Sequence, residues 1–258
     1  MNMNRRNLHC LGVMALLAFL VATLPVCAQT QDDEWECTVA PYVLFPGMSG
    51  KLGIGPIEAD VDAGISDILS NLQFGFNGYF AVRKGAWGFG ADIVYMALGG
   101  STDHLNVDPN QGAYTFLGIR RLAPGLDLNF GARWNVIEAR IEFKQIAGTE
   151  LGGRVVEKTQ QWVDPVVGIH WVKPLGQRWE FRLPANIGGF GLASKVAVDV
   201  FPTLQFKLAE WAWIGGGWRV LYMNYETGYE GSVPIPNEES FRYDVTTTGP
   251  VVGLAFRF

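Results

Sequence analysis

The sequence predicts an all-β fold: an antiparallel transmembrane β-barrel of about ten strands, with twelve as the alternative and a short helix in the first long excursion. Three observations predict it. Apolar residues recur at every second position through most of the chain after residue 28, the pattern of strands that separate two unlike environments. The alternating runs are roughly 10 to 14 residues long, more than soluble sheets use and enough to cross a bilayer at a tilt. The connections between runs alternate short and long, as periplasmic turns and external loops do.

Composition agrees. Hydrophobic residues make up 48% of the 258 residues and charged residues only 17%, too apolar for a disordered chain. The formal charge of −5 lacks the basic footprint of a nucleic-acid binder. After the N-terminus no apolar stretch is long enough for a membrane helix.

Residues 1–28 read as a secretory signal peptide. Arg5 and Arg6 precede an apolar run over 11–24, and Val26-Cys27-Ala28 offers a small-residue cleavage site. Val26 stands where a lipoprotein signal takes Gly, Ala or Ser, which favours simple cleavage after Ala28 over acylation at Cys27. Cleavage removes two bases and no acid, moving the charge from −5 to −7. Cys10 and Cys27 go with it, so Cys37 remains as a small strand residue rather than half of a disulfide. Residues 29–258 form one barrel domain.

In chain order the strands are read at 35–45, 72–83, 86–98, 111–122, 125–143, 160–173, 177–188, 195–208, 211–226 and 241–258. In the third, Trp87, Phe89, Ala91, Ile93 and Tyr95 oppose Gly88, Gly90 and Asp92. In the fifth, Leu126, Leu128, Phe130 and Trp134 oppose Asp127, Asn129 and Arg133. Apolar residues then continue at Ile137, Ile141 and Phe143, a change of phase that predicts a bulge near Val136-Ile137. In the seventh, Trp179, Phe181 and Leu183 oppose Glu180 and Arg182. The eighth alternates most strictly, with Val196, Val198, Val200, Pro202 and Leu204 against Ala197, Asp199, Phe201 and Thr203. The last ends in Val252, Leu254, Phe256 and Phe258 against Gly253, Ala255 and Arg257. Trp87, Trp179, Trp211 and Trp213 follow tight turns, where an interfacial girdle belongs. An even strand number puts both termini in the periplasm.

Residues 46–71 form the long excursion. It reads as a short hairpin followed by a helix that covers or enters the lumen, with Ser66 as its cap and Ser66, Asp67, Ile68 and Leu69 as plug candidates. A further transmembrane pair there would make twelve strands.

The alternation assigns Asp92, Arg133, Asp164, His170, Arg178, Glu180, Arg182, Asp199, Lys207 and Arg219 to the lumen, together with Arg83, Arg120, Asp127 and Arg257. Mixed charge in a narrow lumen has two readings. It lines a polar path for small solutes or ions, or it pairs and fills the interior. The channel is the first functional expectation, a plugged structural or surface-interaction barrel the alternative, and a lipid-modifying enzyme the third. No enzyme is expected, since the only histidines after residue 28 are His104 and His170 and no serine stands at a hydrolase spacing from either. Asp103, His104 and Asp108 read as a solvated loop rather than a metal site, and no cofactor is expected. The expected partners are outer-membrane lipid and, during biogenesis, the barrel-insertion machinery. A monomer that binds no nucleic acid is expected.

The ordered set Trp162-Val-Asp164-Pro165-Val-Val-Gly168, Gly188-Gly-Phe190-Gly191, Gly217-Trp-Arg219-Val-Leu221 and Gly249-Pro250-Val-Val-Gly253-Leu-Ala-Phe256-Arg-Phe258 carries a resemblance. Ala40-Pro41-Tyr42 and the segment beginning at Ser66 also fit. The chain resembles a widespread group of uncharacterised Gram-negative outer-membrane β-barrel proteins. The resemblance implies a bacterial outer-membrane location and no particular activity. Phe258, with apolar residues at alternate positions before it, looks like the signal read by the insertion machinery. His170 and Asn186 depart from the Arg and Asp that the group leads one to expect.

Overall fold

The computed structural model describes residues 34–258 except 55–56, 102–104, 144–154 and 229–239, so the signal-peptide segment 1–28 lies outside the described residues. The chain forms β1 (Trp35–Leu44), β2 (Gly47–Ile54), β3 (Ile57–Ala63), α1 (Ile65–Asn71), β4 (Leu72–Lys84), β5 (Trp87–Leu98), β6 (Gly100–Ser101) and β7 (Leu105–Ala123). It continues with β8 (Leu126–Phe143), β9 (Val155–Pro174), β10 (Trp179–Gly188), β11 (Ser194–Val200), β12 (Thr203–Ala209), β13 (Ala212–Thr227) and β14 (Phe241–Arg257). Antiparallel pairing runs from β1 through β4, β5, β7, β8, β9 and β10 to β11 and β12, then through β13 and β14 back to β1. Counting β11 and β12 as one interrupted strand, the ring is a closed ten-stranded antiparallel barrel. Closure leaves no open edge around it, which satisfies the backbone of every wall strand.

Phe-Pro steps interrupt the wall twice. Proline has no N–H for the ladder. Phe201-Pro202 therefore divides the predicted eighth strand into β11 and β12, although both halves still pair with β10 and β13. Phe45-Pro46 divides β1 from β2, which both pair with β14. At each step a neighbouring strand supplies a glycine. A Cβ at Gly249 would lie 2.0 Å from the Phe45 carbonyl oxygen, and one at Gly217 would lie 2.1 Å from that of Pro202. Only glycine permits such a backbone approach.

The excursion 46–71 is thus largely wall. β2 extends the first strand along β14, and β3 folds back on β2. The hairpin adds no transmembrane pair, so the twelve-strand alternative does not hold. Glu58, Asp60 and Asp62 are exposed along β3, an acidic edge that discourages pairing with another chain. The helix does not enter the lumen. Ser66, Asp67 and Leu69 are exposed, and only Ile68, at 4% accessibility, is buried. Its cap is Gly64, whose N–H donates to the Asp67 carboxylate at 3.0 Å, rather than Ser66.

β8 shows no bulge at Val136-Ile137. It pairs with β9 in unbroken register from Leu126 opposite Trp171 to Glu142 opposite Val155. Ile137 points inward because the interior itself turns apolar there, packing beside Trp162, Tyr225 and Tyr243. The outer face carries Val43, Phe89, Phe116, Phe130, Val167, Ile214, Val252 and Leu254, all exposed. Trp87, Trp179 and Trp211 stand exposed beside the short turns, as predicted for a girdle. Trp213 does not join them; it turns inward under the Arg257 guanidinium, 4.0 Å from its ring centroid. Arg120 in turn points outward, over the Trp87 ring at 4.5 Å, because Leu117 and Ile119 hold the inward phase of β7.

Candidate functional site

From the short-turn end inward, the lumen holds a charged mouth, a small apolar chamber, a charged layer and an aromatic cluster. The mouth encloses a cavity of about 370 Å³. Arg83 of β4 donates to Asp127 of β8. Arg121 reaches the same carboxylate at 3.8 Å and Glu36 at 3.4 Å, and His170 Nδ1 lies 3.8 Å from Asp127. Two strands away on β10, Glu180 takes Arg182 at 2.8 Å and Arg257 of β14 at 2.6 Å. Behind the mouth a chamber of about 110 Å³ continues past Leu117, Pro184, Phe201 and Val251.

The layer above the chamber draws on five strands. Arg219 of β13 donates to Asp199 of β11 through Nε at 3.0 Å and Nη2 at 2.7 Å, to Asp92 of β5 at 2.5 Å, and to the Tyr42 hydroxyl of β1. Tyr42 donates in turn to Asp92 at 2.8 Å. Arg133 of β8 closes the ring, donating to Asp199 at 2.8 Å and to Thr115 at 3.0 Å. Two guanidinium groups thus meet two carboxylates, which compensates the charges removed from water. Arg133 is 1% accessible and Arg219 and Asp199 are buried. The Arg219 guanidinium also lies 5.4 Å from the Phe201 ring centroid, so an aromatic face backs the charge.

Asp164, at 0% accessibility, is the hub of a second network. It accepts from the Ser194 N–H and hydroxyl at 2.8 Å each, and from Asn135 and the Trp162 indole at 3.0 Å each. Gly189 N–H donates to the Pro165 carbonyl at 3.1 Å, tying the same turn down. The Trp162–Gly168 segment and the Gly188–Gly191 segment therefore work together, anchoring the turn between β10 and β11. Asp164→Ala is expected to cost about 1–3 kcal/mol, because it leaves buried donors without an acceptor. Amide exchange at 189–194 should quicken; unchanged exchange there would contradict the anchoring role. Beyond the hub, Trp162 stacks on Tyr225 at 4.2 Å and 8°, with Tyr243 and Phe241 at 6.0 and 6.3 Å.

Among the predicted lumen residues, Asp92, Arg133, Asp199 and Arg219 converge in the layer, and His170, Glu180 and Arg182 meet at the mouth. Asp164 stands apart in its hub. Arg178 is not a lumen residue: it is exposed in the bend at 176–178, where its carbonyl accepts from Lys207 N–H. Lys207 is a rim residue, 2.5 Å from the exposed Glu210. Asp103 and His104 lie outside the described residues, as does the Asp108 side chain. Thr115 was not singled out from the sequence, and Tyr42 was noted only within the Ala40-Pro41-Tyr42 segment, not as a lumen residue. β1 has apolar residues on both faces, so its alternation conceals which way Tyr42 points.

No family model matches the chain, and no curated protein does. Solved outer-membrane barrels match distantly. The outer membrane protease OmpT from Escherichia coli is 8% identical with a TM-score of 0.46, covering 90% of this chain and 99% of its own. The translocator domain of autotransporter NalP from Neisseria meningitidis is 12% identical at 0.42, covering 97% and 96%. A Pseudomonas aeruginosa FadL homologue is 9% identical at 0.37, covering 88% and 90%. At these scores the barrel rests on the chain's own strand pairing.

Proposed function

We propose that the chain is a monomeric bacterial outer-membrane barrel that is closed across its lumen and serves as a structural or binding barrel rather than a conduit. The observation that carries this reading is the layer of Arg133, Asp199, Arg219, Asp92 and Tyr42, drawn from five strands and largely removed from water. The aromatic cluster around Trp162 adds a second obstruction. The band of exposed apolar side chains and the tryptophans beside the short turns support a bilayer location, with outer-membrane lipid as the surrounding partner. The alternation along β14 supports handling by the barrel-insertion machinery.

The channel reading, placed first on the sequence, requires this layer to part. Proteoliposomes carrying the folded protein should swell in isotonic sugar no faster than protein-free vesicles. Swelling that scales with the amount of protein would return the channel to first place. Heat-dependent gel mobility on the same sample establishes that the barrel is folded.

A further inference from the structure

We infer that the mouth and its inner chamber form one binding site for a short-chain carboxylate carrying a hydroxyl near its far end, about six carbons long. The inference rests on the proposed closed lumen only in that the charged layer forms the floor of the chamber. Three observations lead to it.

The first is the charge inside the mouth. Asp127 is shared by Arg83 and Arg121, and Glu180 by Arg182 and Arg257, so four guanidinium groups face two inner carboxylates. Glu36 is the third acid, but its side chain is 62% exposed at the rim. Arg257 Nε is buried without a hydrogen-bond partner among the described residues, an unused donor. Guanidinium groups bind carboxylates through paired, charge-assisted hydrogen bonds. A monoanionic head seated here would meet Arg182, which lines both mouth and chamber.

The second is the chamber. It is walled by Leu117, Pro184, Phe201 and Val251 and holds about 110 Å³. That is below the ~150 Å³ of a cavity that accepts benzene, so a chain of a few carbons fits and a lipid tail does not.

The third is a polar row across one wall. Asn129, Gly168 and Asn186 stand opposite one another on β8, β9 and β10. Both asparagines line the chamber, and Asn129 is buried. The Oδ1 atoms of both lack hydrogen-bond partners among the described residues. Gly168 between them presents no side chain. A hydroxyl both donates and accepts, so it satisfies these amides in either orientation. Arg182 and Asn186 face inward from one strand, four residues or about 13 Å apart along the backbone. Arg182 is tied to Glu180 on the side away from Asn186, so its guanidinium and the Asn186 amide stand about that far apart, roughly the span of an extended six-carbon hydroxy acid with a hydrogen bond at each end.

Titration calorimetry of the folded protein in zwitterionic detergent tests the site, with protein-free micelles subtracted. The probes are 6-hydroxyhexanoate, hexanoate and 1,6-hexanediol. The expected order is that sequence, with about tenfold between successive members. Arg182→Gln should weaken both acids about tenfold and leave the diol unchanged. Asn186→Ala should abolish the advantage of the hydroxy acid while sparing hexanoate. No saturable heat with 6-hydroxyhexanoate, or a diol that binds as tightly as the acids, would overturn the site. The probe series on the unmodified protein decides this even where a variant does not fold. Swelling of proteoliposomes made from the same preparation reads the closed lumen separately.

Discussion

Arg219→Ala is expected to destabilise the folded barrel by about 3–5 kcal/mol, the usual cost of removing one partner from a buried ion-pair network. Arg219 is the only member of the layer that touches Asp199, Asp92 and Tyr42 together. Its loss leaves Asp92 with the Tyr42 hydroxyl and Asp199 with Arg133 alone. The cost is mainly an uncompensated carboxylate in a site poor in water, not a lost attraction. Asp92→Asn should therefore cost less than Arg219→Ala, and Arg219→Ala with Asp92→Asn should recover part of the loss. Reversible urea unfolding from lipid vesicles measures all three. A double variant no more stable than Arg219→Ala alone would place the cost in packing against Phe201 rather than in charge.

Val252→Arg is expected to reduce stability by about 2–4 kcal/mol, the cost of an arginine on the lipid face near the bilayer midplane. Val252 is exposed on the outer wall, between Val43 of β1 and Gly216 of β13. Leu69→Arg offers the contrast. Leu69 is equally apolar and also exposed, but it lies on α1, off the strand wall. It should change stability by no more than about 0.5 kcal/mol. Equal losses for the two would contradict the lipid-facing assignment of the β14 surface.

Why some elements were legible follows from these same interior contacts. Period-two alternation reports a contrast between faces, and β5, β11, β12 and the terminal half of β14 present one. Where the lumen is itself apolar the contrast vanishes. Ile137 therefore read as a change of phase, although β8 runs on without a bulge. Leu221, Met223 and Phe241 pack inside for the same reason. Arg120 and Trp213 exchanged their expected sides because a charge at the interface can rest on an aromatic ring as readily as in the lumen. In the excursion 46–71 the short hairpin was legible, but not that its first strand continues the wall along β14 beyond the Phe45-Pro46 step.

The site was legible as a set of charges and not as an arrangement. Asp92, Arg133, Asp199 and Arg219 were each placed inward by alternation. Their meeting point depends on how four strands are staggered around the barrel, which local sequence does not encode. Asp164 was visible within the Trp162–Gly168 segment, but its partner Ser194 lies two turns and one strand further along the chain, and nothing in the spacing joins them.

Single-channel recording in a planar bilayer, with the folded protein in simple salt, tests the closed lumen most directly. The account predicts a silent bilayer for the natural sequence, and a bilayer that stays silent when residues 64–70 are deleted, because α1 does not fill the lumen. Stepwise current from the natural sequence, altered by charge swaps at Arg133 or Arg219, would contradict it and make the layer the selectivity element of a pore.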